Sequence, residues 1–143
     1  MSIDLTPEQV QIRDGVSRLC ADFGDQYWLQ RDCDGRFPEE FCRAIADQGY
    51  MGIAMPSQYG GAGLGITEAA ILMQEISQSG AGNGGVSSVS IGIFGLNPVV
   101  RFGSEEQKAR MLPPVIARQD IACFGVTEPD TGLDTTRLKT RAV

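Results

Sequence analysis

A chain of 143 residues, 42% hydrophobic and 21% charged, has the balance of an ordinary globular protein with room for one modest core. Acidic side chains outnumber basic ones 18 to 12, a formal charge of -6 without any run of like charge, so nucleic acid and anionic lipid are not expected partners. The chain has no histidine, which excludes histidine-based acid–base or nucleophilic chemistry, and Cys20, Cys33, Cys42 and Cys123 have no metal-motif spacing. Cys20, Cys42 and Cys123 lie among apolar neighbours and read as small buried thiols. With no basic-then-apolar N-terminus and no membrane span expected, the reading is a reducing, cytoplasmic compartment.

The first helix signal is Leu5-Thr6-Pro7-Glu8-Gln9-Val10. Thr6 can cap, Pro7 suits the first helical position and Gln9 can reach back to the cap amide. A helix is expected from Pro7 to Asp22, with Val10, Val16, Leu19, Cys20 and Phe23 as its apolar stripe. Between Gly24 and Gly35 the pattern breaks around Tyr27, Trp28 and Leu29, and a long loop or a short irregular helix fits equally well. A second helix is expected over Pro38 to Gln48, with Glu39 and Glu40 in its first turn and Phe41, Cys42 and Ile45 inward. Tyr50 to Ile66 is glycine-rich and irregular. A phosphate cradle there would need a preceding strand and a following helix in a strand–helix alternation that this chain lacks.

Thr67 is expected to cap a helix over Glu68 to Ser79 that buries Ala69, Ala70, Leu72, Met73 and Ile76. From Gly84 to Phe94, Val89, Ile91 and Ile93 alternate with small residues, and period two reads as a strand. Asn97-Pro98 opens a short helix through Phe102. Ser104 caps the next, with Gln107 as its capping-box partner, and Pro113-Pro114 is expected to stop it. Short connections predict antiparallel helical neighbours. Ile121 to Val126 and Thr135 to Thr140 then read as the opening strands of a β domain that these residues do not complete.

The remaining stretch, Ala122 to Asp134, runs A-C-F-G-V-T-E-P-D-T-G-L-D. Pro129 fixes its own φ and Gly132 permits a positive one, so amides here can be aimed outward. Val126-Thr127-Glu128-Pro129, with Gly132 and Asp134 following, resembles the first flavin-binding signature of the acyl-CoA dehydrogenase family. Three further stretches agree in order: Tyr59 to Gly65, Arg101 to Lys108, and Leu112-Pro113-Pro114. The departures are Asp130, Thr131 and Leu133, where the family usually has Gly, Ala and Ser.

The resemblance implies a mainly α fold: an antiparallel helical bundle over residues 1–119, then the start of a middle β domain over 120–143. It implies a helix over Gly84 to Phe94 against the alternating pattern, since a lone strand there would have no partner, and a structural glycine loop. It also implies α,β-dehydrogenation of an acyl-CoA thioester with FAD as hydride acceptor. Phe124, Gly125, Val126, Thr127, Glu128, Pro129, Gly132 and Leu133 would line the flavin, and Val86, Ser90 and Leu133 the acyl group. No catalytic residue is expected in this chain, because the family's carboxylate base lies in a later helical domain. The complete subunit is expected to be a homo-oligomer. Two other readings stay open: a non-catalytic helical interaction module, favoured by the alkyl chain of Leu133, and an acyl-CoA oxidase or flavin monooxygenase on the same scaffold.

Overall fold

In the computed structural model, which describes residues 4 to 141, helix α1 is Pro7–Ala21 with Asp22 as its C-cap. Its start is the reciprocal pair expected from sequence. Thr6 Oγ1 accepts the Gln9 amide at 3.2 Å, and Gln9 Oε1 accepts the Thr6 amide at 3.0 Å. Two amides that a helix start leaves open are thereby satisfied.

The stretch left open between loop and helix forms α2, Asp25–Asp34, ended by Gly35 at φ 66°. It buries no residue fully. What holds it is an edge-to-face aromatic chain from Tyr27 and Trp28 to Phe23 and Phe41, with centroids 5.0 to 5.3 Å apart. Helix α3, Glu39–Asp47, sinks Phe41, Cys42 and Ile45 completely, as its stripe required.

The glycine-rich segment that follows contains two 3-10 turns, Tyr50–Gly52 and Ser57–Tyr59. Its amides are bound internally: Gly61 donates to the Pro56 carbonyl, Ala62 to Gly52, Gly63 to Met55 and Leu64 to Ile53. A β-carbon on Gly61 would lie 2.2 Å from the Met55 carbonyl oxygen, so glycine is required there for close backbone approach. The loop is a packing device, and those four amides cannot cradle a phosphate.

Helix α4, Ile66–Ile76, starts two residues earlier than expected. Gly65, not Thr67, is the N-cap, because the Glu68 side chain reaches back to the Gly65 amide at 3.0 Å. The other oxygen of Glu68 accepts from Gln9 Nε2 at 2.8 Å, tying the start of α4 to the cap of α1. Ala69, Leu72 and Ile76 are fully buried and Met73 packs on them, while Ala70 falls off the stripe and is exposed.

A π turn, Ser77–Ala81, breaks at Gly80 (φ 96°), and α5, Gly82–Phe94, follows. Gly84 to Phe94 is thus helical. Gly85, Val89 and Ile93 are buried at helical spacing, and Ile91 of the strand-like pattern points outward, 42% exposed. Residues 66–102 would be long and apolar enough to cross a membrane only if counted through Gly80. The break leaves α4 at 11 and α5 at 13 residues, short of the roughly 20 that a span needs.

Helix α6 is Asn97–Phe102 and α7 is Glu105–Ile116, opened by the expected Ser104–Gln107 capping box. The expectation that Pro113-Pro114 stops α7 is corrected: both prolines lie inside it, and the Ala117 amide donates to Pro113 O at 3.0 Å. Beyond them Val115 and Ile116 are buried, forming with Met55 and Leu112 a second core cluster. That burial is worth roughly 1.5 to 3 kcal/mol per side chain, the same order as an interior-proline cost of about 3 kcal/mol.

The expected strands do not form among the described residues: Ile121 to Val126 carries no regular structure and no ladder partner, and the sole β-type pairing there is a Glu128–Thr131 bridge. Thr135–Arg137 is a 3-10 turn whose N-cap Asp134 accepts the Thr136 amide. A strand pattern specifies a ladder only when a second strand supplies the other half.

Thr6→Ala should cost about 1 kcal/mol of stability through the lost cap, and Leu72→Ala about 2 to 5 kcal/mol through the cavity it leaves. Urea unfolding followed by far-UV circular dichroism checks both.

Candidate functional site

The chain leaves α7 through Arg118, which at φ 57° is the sole non-glycine residue with positive φ among the described residues. The amides of Gln119 and Asp120 both turn back to the Pro114 carbonyl, at 2.8 and 3.1 Å. The segment then runs past the end of α5, where Ala122 lies 3.3 Å from the place a β-carbon on Gly95 would occupy. Ile121, Ala122 and Cys123 form one wall of a cleft of about 520 Å³, with Leu96, Arg110, Met111 and Val115 on the other side. Cys123, expected as a buried thiol, is exposed, because no strand or sheet covers it here; Cys20 and Cys42 are buried as expected.

Beyond the cleft the signature divides into two parts. Phe124 is 64% exposed, Gly125 has open space around it, and Thr127 faces solvent. Among the described residues the amides of Val126 and Thr127 and the Thr127 hydroxyl have no protein partner. This part presents donors on an apolar, open face, and it can accommodate a flat, hydrogen-bond-accepting ring.

The second part is closed on itself. Glu128, Pro129, Asp130 and Thr131 make a tight turn in which Glu128 and Thr131 exchange both backbone hydrogen bonds, at 2.9 and 3.1 Å. The Glu128 carboxylate accepts the Lys139 amide at 2.9 Å and the Thr140 amide at 2.7 Å. Hydrogen bonding from Thr140, then from Lys139, holds this carboxyl below the usual glutamate range. Two of the departures from the family pattern take part. Thr131 is 6% exposed and its Oγ1 donates to the Arg137 carbonyl at 3.4 Å, while Asp130 pairs with Lys139 at 3.2 Å. The third, Leu133, projects fully into solvent, and Gly132 beside it has nothing within contact.

Of the acyl-pocket candidates, Val86 and Ser90 stand one turn apart on α5. Val86 packs partly against the main core, and the Ser90 hydroxyl donates to the Ser87 carbonyl at 3.3 Å. Sequence reasoning did not single out Arg118, nor the Lys139 and Thr140 amides that hold Glu128. A backbone conformation and a loop closure leave no residue pattern to read. Three of the helix-start carboxylates are engaged: Glu39 by Arg118, Glu68 by Gln9 and Gly65, and Glu105 by Tyr59 and Lys108.

Residues 6–119 match the family model described as "Acyl-CoA dehydrogenase, N-terminal domain". The chain belongs to the acyl-CoA dehydrogenase family. It is 31% identical over its whole length to the probable acyl-CoA dehydrogenase YngJ of Bacillus subtilis, covering 37% of that protein. It is 33% identical to the mitochondrial short-chain specific acyl-CoA dehydrogenase of Sus scrofa, over 93% of this chain and 32% of that protein. Among solved structures, a glutaryl-coenzyme A dehydrogenase in its glutaryl-CoA complex superposes with TM-score 0.84 at 26% identity, over 96% of this chain and 35% of that one. The FAD complex of PigA gives TM-score 0.84 at 26% identity, over 94% and 36%. The chain therefore spans about a third of the length of the relatives it matches.

The inward turn at Glu128 makes a pH prediction. Its folded carboxyl is depressed, so its contribution is fully present above the unfolded value of about 4.3 and is lost as pH falls through the lower folded value. In an NMR titration the Lys139 and Thr140 amide shifts should move together, with a midpoint below that of an exposed glutamate. A midpoint at the ordinary value would mean the carboxylate is not held by those amides.

Proposed function

We propose that this chain is the helical N-terminal unit and first flavin-contacting segment of an FAD-dependent acyl-CoA dehydrogenase that desaturates an acyl-CoA thioester between its α and β carbons. The observation that carries the reading is the pair of unpartnered amides at Val126 and Thr127, with the Thr127 hydroxyl, on an open face inside the Val-Thr-Glu-Pro signature. Bound FAD supplies the acceptor for the β-hydride. The Val126 and Thr127 donors would hold its pyrimidine end, where fixed dipoles stabilise the negative charge that reduction brings. Phe124, Gly125 and Gly132 offer exposed surface for the ring, and Pro129 fixes the corner after it. Glu128 contributes by holding that corner, its oxygens being turned to Lys139 and Thr140. Val86 and Ser90 of α5, with Leu133, would line the acyl group.

The complete subunit would carry its base elsewhere and assemble as a homo-oligomer. The exposed Phe102 (89%), Ile121 (69%) and Leu133 (105%) are surfaces such an assembly would cover. Four free thiols suit a reducing, cytoplasmic setting.

One observation favours a second reading, a non-catalytic interaction module on the same scaffold. Thr131 is spent on the turn, and Leu133 offers an alkyl chain where the family usually has a hydroxyl.

Thr127→Ala in a complete subunit separates the two. Loss of the bond should weaken FAD binding by roughly 1.5 to 3 kcal/mol, the range for hydrogen bonds to a charged group, or lower the flavin potential. Unchanged affinity, potential and turnover would remove Thr127 from the site. The 143-residue chain alone, mixed anaerobically with FAD and an acyl-CoA, should not bleach the flavin absorbance above a protein-free control.

A further inference from the structure

We propose that Arg118 is a positioning residue for the flavin signature: clamped to Glu39 at the start of α3, it holds the left-handed backbone turn from which residues 121–133 leave the helical unit. The proposal rests on the flavin reading for its functional meaning and on geometry for its substance. A φ of 57° is unfavourable for an L-amino acid, because the β-carbon crowds the following carbonyl, and glycine or asparagine is the low-cost choice. An arginine kept in this conformation needs its side chain to supply what the backbone loses.

The side chain does so on two sides. Its side chain is 6% exposed, and its guanidinium donates from Nη2 to Glu39 Oε2 at 3.0 Å and lies over the Phe37 ring, 5.4 Å from the centroid. Glu39 is a firm anchor, since α3 is sunk into the core by Phe41, Cys42 and Ile45. On the backbone side, Arg118 donates to the Val115 carbonyl at 3.1 Å, and Gln119 and Asp120 share that of Pro114. Only those two residues separate Arg118 from Ile121. A rotation at Arg118 would therefore swing Ala122 off Gly95, open the cleft behind Cys123, and redirect the Val126 and Thr127 donors. Joining α3 to the end of α7 through one buried guanidinium links the direction of the signature to the packed core rather than to the exposed loop itself.

The 143-residue chain itself suffices for the test. In a Cys33→Ser background, Cys123 is the one exposed thiol, while Cys20 and Cys42 are buried, with thiols pushed up mainly by desolvation and so poorly reactive. A nitroxide on Cys123 reports the mobility of the signature by electron paramagnetic resonance, with no flavin present. Arg118→Ala and Glu39→Ala should each convert an immobilised spectrum to a mobile one, and the double variant should be no more mobile than either. Arg118→Lys should restore part of the immobilised component, because the ammonium keeps the charge but not the planar fork. Arg118→Gly should be mobile although it relieves the backbone. Melting temperatures are read alongside. A lowered melting temperature with an unchanged nitroxide spectrum would reduce the pair to a structural contact, and an immobilised spectrum in Arg118→Gly would show that the side chain positions nothing. Should Arg118→Ala fail to fold, Glu39→Ala carries the same comparison. Failure of the Thr127→Ala experiment would leave a positive nitroxide result standing, and failure here would leave the flavin reading untouched.

Discussion

A left-handed break organises the bundle. Without the positive-φ glycines Gly80 (φ 96°) and Gly82 (φ 55°), α4 would run on into α5 as one long apolar helix with no means of folding back on the rest of the chain. The Asp25 carboxylate sits 2.7 Å from where a β-carbon on Gly80 would be, so both the backbone angle and the neighbour demand glycine. With the break in place, α4 packs along α1 while α5 is free to meet α3 and the Tyr50–Gly52 turn. Val16, Cys20, Leu72, Ile76, Val89 and Ile93 then share one core, and the C-terminal end of α5 is delivered to the place where Ala122 passes.

The signature depends on that placement. Residues 121–127 have no ladder of their own, so their position is set by the exit at Arg118 and by the small-residue contact between Ala122 and Gly95. Residues 128–140 hold themselves: a two-bond bridge, a carboxylate gripping two amides, and a buried threonine make a knot of local contacts. The division has a chemical consequence. The amides of Val126 and Thr127 are left without protein partners, while the carboxylate beside them is turned back to Lys139 and Thr140. Asp130 and Thr131, read from sequence as departures from a binding motif, are participants in that inward turn.

Charge plays a local role. Three helix-start glutamates find partners: Glu68 joins two helix starts, Glu39 anchors an exit, and Glu105 receives Tyr59 and Lys108. The Glu68–Gln9, Glu39–Arg118 and Glu105–Tyr59 contacts tie residues at least 46 positions apart in the chain. Surface pairs of this kind contribute little singly, yet Glu39 differs because its partner is almost wholly buried.

The sequence by itself determined the features that act over three or four residues. The capping boxes at Thr6 and Ser104 and the buried stripe of α3 follow from residue spacing alone, because helix geometry turns spacing directly into contact; the family was legible only by resemblance of its motifs. Only the tertiary structure decided what depends on a distant partner. Tyr27 and Trp28 became helical because Phe23 and Phe41 stand edge-on to them. Pro113 and Pro114 stayed inside α7 because Val115 and Ile116 had a core to enter. The alternating residues of α5 became helical because Gly85, Val89 and Ile93 met a buried face, whereas Ile121 to Val126 stayed unpaired for want of a second strand. Arg118 shows the limit most sharply, since an arginine in a left-handed turn is legible only once Glu39, 79 residues earlier, is seen to hold it.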